Sequence, residues 1–136
     1  MCKLMLVLLV SFHLACSSKD QTPIPGRHKV IVEIEVASAK TDGRSWDTSG
    51  GAPDSAGELR IGDASYDIPR KEDSYSIRHE IPNVQLSNGN TVIVELFDKD
   101  ISNHDLIGLG RDTYKGQPSM AIRAGQANIT LKFIAN

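Results

Sequence analysis

Three stretches of this chain alternate apolar and polar residues with a period of two, and this restricts the fold more than any other feature. In His28 to Ser38, Val30, Val32, Ile34 and Val36 share one face and Lys29, Glu33 and Glu35 the other, with Ile31 the exception. Thr91 to Phe97 places Val92, Val94 and Leu96 on one side, and Asn128 to Ile134 does the same with Ile129, Leu131 and Phe133. Successive side chains of a strand point to opposite faces, so this pattern with β-branched residues describes half-buried strands. Shorter strands fit Glu58 to Ile61, Ser65 to Ile68, Tyr75 to Ile81 and Leu106 to Arg111. Gly62-Asp63 and Ser87-Asn88-Gly89-Asn90 read as hairpin turns, the Asn-Gly pair supplying the positive φ of a type I′ turn. No stretch keeps helical spacing for long; Met120 to Ala124 reads as one helical turn. Seven or eight short strands at near-regular spacing predict an all-β fold, an antiparallel eight-stranded β-sandwich. Such folds gather their loops at two ends, where function usually resides.

The N-terminus is read as a targeting segment rather than as fold. Lys3 supplies a basic start and Leu4 to Leu14 an apolar run. The run is shorter than the roughly 20 apolar residues of a spanning helix, and residues 1–15 fit a cleaved secretory signal peptide. Leu14-Ala15-Cys16 looks like a bacterial lipoprotein box, in which Cys16 would be lipidated and become the new N-terminus. His13 departs from that pattern, which usually has an aliphatic residue there. An ordinary signal peptide with an incidental cysteine is the alternative. The lipoprotein is preferred because a small residue directly precedes Cys16 and a polar tether directly follows it. Residues 16–27 form that tether, proline-containing and without hydrophobic period. Ser17 stands where inner-membrane retention often uses aspartate, so the expectation is an outer-membrane lipoprotein facing the periplasm or the cell surface. Cys2 leaves with the signal, so the domain over residues 28–136 has no thiol and its core must stabilise it without a disulfide.

That domain, of roughly 110 residues, suits one compact unit. The chain carries 15 basic and 17 acidic residues, and loss of Lys3 leaves 14 against 17. This is no footprint for nucleic acid, which needs a basic stripe. Arg70-Lys71-Glu72-Asp73 cancels itself and reads as a solvated turn.

Two acidic, turn-rich segments remain: Trp46-Asp47-Thr48-Ser49-Gly50-Gly51-Ala52-Pro53-Asp54, and Phe97-Asp98-Lys99-Asp100 continuing to His104-Asp105-Leu106-Ile107-Gly108. Five carboxylates in two loops repel one another if the fold brings them together. A hard cation relieves that repulsion, and calcium is the usual one because it accepts about 6–8 oxygen ligands from a flexible cage.

With strands and acidic loops placed, residues 28 to 134 resemble a C2 domain. The second segment carries most of the likeness: a hydrophobic strand, Asp98-x-Asp100, a short polar loop, Asp105, two apolar residues and Gly108. The first resembles the other calcium loop, and its Trp-Asp-x-x-Gly-Gly-x-Pro-Asp wording is similar to exported bacterial C2-like lipoproteins. The resemblance implies a C2-like Greek key. It implies Asp47 and Asp54 as first-loop metal ligands, Asp98, Asp100 and Asp105 as third-loop ligands, and a Lys99 carbonyl that also coordinates. Compared with many calcium-dependent members, the Asp100–Asp105 spacing is one residue shorter and the Asp47–Asp54 gap one longer. Asp54-Ser55-Ala56-Gly57 replaces the usual Asp-Pro-Tyr opening of the next strand.

Simpler roles stand beside these. Loop aspartates cap turns through their own backbone; Asp47 and Asp98 could each do that alone, and Asp42 is expected to. Trp46 either packs under the first loop, the expected outcome, or dips into a lipid interface. Ile101 is the better candidate for membrane insertion, with folding back onto the sandwich as the alternative. His104 lacks a second histidine or cysteine at zinc-ligand spacing. No Gly-x-Ser-x-Gly, Ser/His/Asp set or facing pair of carboxylates occurs, so no catalysis is expected. The functional expectation is a lipid-anchored C2-like module that binds Ca2+. Its metal-loaded loops would meet anionic phospholipid, lipopolysaccharide or an acidic glycan. The alternative is a structural lipoprotein that binds another envelope protein without metal.

Overall fold

The computed structural model describes residues 26–100 and 104–136, and places them in eight strands. These are β1 (Arg27–Val36), β2 (Ser55–Ile61), β3 (Ala64–Lys71), β4 (Ser76–Gln85), β5 (Thr91–Lys99), β6 (His104–Thr113), β7 (Ser119–Ala124) and β8 (Ala127–Ala135). They form two four-stranded sheets, ordered β4-β1-β8-β7 and β3-β2-β5-β6, with every pairing antiparallel. The eight-stranded all-β sandwich expected from the alternation is the fold.

The alternation works as its physics requires. Val30, Val32 and Ile34 of β1, Val92, Val94 and Leu96 of β5, and Ile129 and Leu131 of β8 all turn into the space between the sheets and are almost completely buried. Each aliphatic side chain removed from water in this way contributes about 1.5–3 kcal/mol. Ile31, which breaks the pattern, lies on the outer face of β1 between Glu80 and Lys132 in the register, and is buried as well.

Two expectations need correction. Met120 to Ala124 is strand β7, not a helical turn. Met120, Ile122 and Ala124 are buried while Ala121 and Arg123 are exposed, which is period two. Ser87 to Asn90 makes a turn closed by Asn90 N–H donating to Ser87 O at 3.0 Å, but it is not a hairpin. It carries the chain from β4 in one sheet to β5 in the other. Only Gly89 has positive φ there, at 90°, whereas a type I′ turn needs it at both central residues.

Antiparallel pairing sends the connections β1–β2 (37–54), β3–β4 (72–75) and β7–β8 (125–126) to one pole, together with the end of β5 at Lys99 and the start of β6 at His104. Hydrogen bonds tie the three connections together. Ser74 N–H donates to Pro53 O at 3.1 Å, Val36 N–H to Tyr75 O at 2.8 Å, and Ala37 N–H to Gln126 O at 2.8 Å. Gly26, the first described residue, lies at the other pole, where Leu86 N–H donates to its carbonyl, and Asn136 N–H there donates to Arg27 O. Both acidic segments therefore reach the same pole.

Candidate metal centre

Asp98 ends the inward stripe of β5 and is 1% exposed. Its Oδ1 accepts the Asp54 N–H at 2.8 Å, while Oδ2 is buried with no hydrogen-bond partner. Burial raises its pKa above the ordinary carboxylate value, and the nearby charges of Asp100 and Asp54 push in the same direction. Asp105 sits opposite Asp98 in the β5–β6 register. Like charges placed directly across strands destabilise a sheet unless something intervenes. Here Lys40 from the β1–β2 loop donates to Asp105 Oδ2 at 2.6 Å.

Asp54, just before β2, accepts the Asp73 N–H at Oδ1 (2.8 Å) and the Arg70 guanidinium at Oδ2. The Arg70 hydrogen bond holds its pKa below the usual value, and Asp54 in turn raises that of Arg70. Asp47 caps its own turn: Oδ1 accepts the Ser49 N–H at 2.9 Å and Oδ2 the Ser49 hydroxyl at 2.6 Å, which lowers its pKa. Asp47, Asp100 and Asp105 line one open cleft of about 560 Å³ together with Lys40. Water takes about 30 Å³ per molecule in the liquid, so the cleft admits a hydrated ion. Lys99 donates its N–H to Asp54 O at 2.9 Å. Its side chain lines a different concavity, on the outer face of the sheet, with Glu58, Asp67, Glu95 and His104.

The sequence reading missed three participants. Lys40 and Arg70 supply the cations that meet Asp105 and Asp54. Asp73 is the third: its Oδ1 accepts the Ala52 N–H at 3.0 Å. A Cβ on Gly51 would lie 3.1 Å from Asp73 Oδ1 and 3.2 Å from Asp47 Oδ2, so glycine at 51 lets these two carboxylates close around the loop. The self-cancelling Arg70–Asp73 stretch was the signal. It is exposed, as a solvated turn should be, and forms the end of β3 and the β3–β4 corner at the acidic pole.

Trp46 is 3% exposed within the core cluster, and its Nε1–H donates to Ala37 O at 2.7 Å. The lipid-contact alternative for this residue is corrected: both ring and N–H are satisfied inside the fold, as expected for a buried indole. Ile101 and Cys16 lie outside the described residues.

Among the described residues, no group of three or more His, Cys, Asp or Glu side chains converges as a metal cage. Three of the donors have other partners: Asp105 the Lys40 ammonium, Asp54 the Arg70 guanidinium, and Asp47 Ser49 of its own loop. The donor chemistry nevertheless fits a hard cation. It is all carboxylate oxygen, with one buried oxygen unpaired, and carboxylate sets suit calcium rather than softer metals.

No sequence-family model matches the chain, and no curated protein sequence matches it. Solved structures do. One described as the structure of a C2 domain has a TM-score of 0.55 at 10% identity, covering 80% of this chain and 99% of that one. The C2A and C2B domains of Extended-Synaptotagmin 2 give 0.51 at 17% identity, covering 98% of this chain and 48% of that one, so this chain spans about half its length. Two antiparallel four-stranded sheets, a shared loop pole and these likenesses together identify the fold of this chain as a C2-like Greek-key β-sandwich.

Proposed function

We propose that the acidic loop pole takes up calcium and that the loaded pole binds an anionic surface. The unpaired, buried Oδ2 of Asp98 carries this reading. An ionised carboxylate out of water needs a cation or enough hydrogen bonds, and Asp98 has one hydrogen bond. Asp98, Asp100, Asp105, Asp54 and Asp47 would supply the oxygens, with the Lys99 carbonyl available beside them. The ion would screen the repulsion among these groups and present residual positive charge to phospholipid, lipopolysaccharide or acidic glycan. Extracellular calcium modules typically bind at about 10⁻⁴–10⁻³ M.

The test is thermal unfolding in calcium and in chelator. A ligand that binds only the folded state raises the midpoint by mass action, by about 2.7 kcal/mol at a hundredfold excess over Kd. Millimolar calcium should raise Tm by several degrees; an unchanged Tm would remove the metal.

A second reading has its own observation. Lys40 and Arg70 already neutralise Asp105 and Asp54, which a metal-free structural module of an envelope assembly would also need. In that reading the partner is another protein and Tm ignores calcium. Export and lipidation at Cys16 belong to the proposal as well. Mass spectrometry of the mature N-terminus should find a diacylglyceryl-modified Cys16; an unmodified, differently cleaved terminus would make the protein an ordinary secreted one.

A further inference from the structure

We infer that Lys40 and Arg70 are resident counter-cations that a metal must displace, so that cation uptake at this pole is an exchange and not a simple addition. The inference rests on the calcium reading above and concerns how that site is regulated.

Lys40 is placed for this role by its surroundings. Its N–H donates to Arg44 O at 2.8 Å and its carbonyl accepts the Gly43 N–H at 2.9 Å, which pins its backbone in a tight turn. Its side chain is 20% exposed. The ammonium lies 2.6 Å from Asp105 Oδ2 and 5.6 Å from the centre of the Trp46 ring. That is within the range of a cation–π contact. The ammonium lines the same cleft as Asp47 and Asp100, so a cation entering the cleft competes with it for Asp105. Arg70 comes from the end of β3 and covers Asp54 from the other side, within reach of the charge on Asp100. Lys40 and Arg70 meet only Asp105 and Asp54 at this pole, and among the described residues Asp47, Asp98, Asp100 and Asp73 have no cation in contact with them. Asp98 Oδ2 has no partner even so.

Displacement has a chemical consequence. The Lys40 ammonium and Arg70 guanidinium, freed from Asp105 and Asp54, would stand on the rim beside a bound divalent ion. All three positive groups would then face the same anionic surface. The two cations that weaken metal binding would strengthen the docking of the loaded pole.

Calorimetric titration of calcium chloride into the full mature chain and its variants tests this. The variants are Lys40→Gln, Lys40→Met, which keeps the aliphatic stem over Trp46, and Arg70→Gln. Chelator melts confirm that each folds, and a variant that does not is replaced by the other substitution at Lys40. Removing either cation should tighten calcium binding about three- to tenfold. Trp46 is the only tryptophan, so its emission reports the ammonium leaving the ring. Calcium should change that emission in the wild type and not in Lys40→Met, although Lys40→Met still releases heat of binding. Wild type that binds calcium with variants of equal or lower affinity would overturn the exchange and leave the calcium reading standing. Variants that bind where wild type does not would establish the exchange in its strongest form. No binding by any of them at millimolar calcium would refute the calcium reading itself, and the exchange with it.

Discussion

At the residue scale, Asp98 and Asp54 have opposite pH behaviour. Asp98 follows Val92, Val94 and Leu96 on the inward side of β5, where desolvation raises its pKa. A raised folded-state pKa means that its favourable contribution is complete below the unfolded value of about 3.9 and is lost as pH climbs through the folded value. Asp54 is depressed, chiefly by the Arg70 hydrogen bond. Its contribution is present above the unfolded value and disappears as pH falls through the folded one. In chelator, stability should therefore fall in acid through Asp54 and be eroded toward neutrality through Asp98. Asp98→Asn should remove the neutral-side loss, gaining about 1–3 kcal/mol at pH 7 by eliminating an unsatisfied buried charge. It should also abolish the calcium-dependent rise in Tm. Calorimetric melts between pH 4 and pH 8 check both; a variant curve parallel to wild type would show that another group carries the pH dependence.

At the scale of elements, β6 and β7 set how closely the sheets approach. β6 has a bulge after Leu106, and Ile107, 2% exposed, is the extra residue turned into the core. The next residue, Gly108, backs directly onto β7: a Cβ there would lie 2.0 Å from Ala124 O. Backbone cannot yield as a flexible side chain does. Gly108→Ala should therefore cost about 3 kcal/mol or more, the upper end for overpacking, measured as a lower urea midpoint. Leu96→Ala, a cavity in the same core, should cost about 2–5 kcal/mol. The β1–β2 loop behaves as a packed element as well, because Trp46 anchors it under the pole. Trp46 emission should not shift to the blue when anionic vesicles are added in chelator. A shift would mean that the ring leaves the core for lipid. The Asp-x-Asp and Gly-Gly segments were legible because their chemistry is local. Strand β7 was misread because six residues hold too few periods to separate a strand from a helical turn.

At the scale of the molecule, the acidic loops and the described N-terminal residue Gly26 occupy opposite poles. A ten-residue strand such as β1 spans about 33 Å. A tether from Cys16 to Gly26 reaches at most about 35 Å when fully extended. A domain anchored at Cys16 would therefore hold its acidic pole away from the anchoring bilayer unless the tether stretched fully along its flank. The expected target of the pole is a second surface, and not a second grip on the same membrane. The mature domain has no other thiol, so a fluorophore on Glu72→Cys, exposed at the β3–β4 corner, can report position with Cys16 lipidated. Quenchers in the anchoring bilayer should leave it bright, and strong quenching would place both poles on one membrane.

The amino-acid order alone determined which faces of β1, β5 and β8 are buried and where the carboxylates cluster along the chain. Both follow from periodicity and composition within a few residues, which no distant contact has to supply. It did not determine what neutralises those carboxylates. Lys40 meets Asp105 across 65 residues of sequence, and Arg70 meets Asp54 across 16. Those meetings exist only once antiparallel pairing brings these strand ends to one pole. Charge pairing depends on distance in space and not along the chain, so the tertiary structure alone decided that the acidic loops carry their own cations.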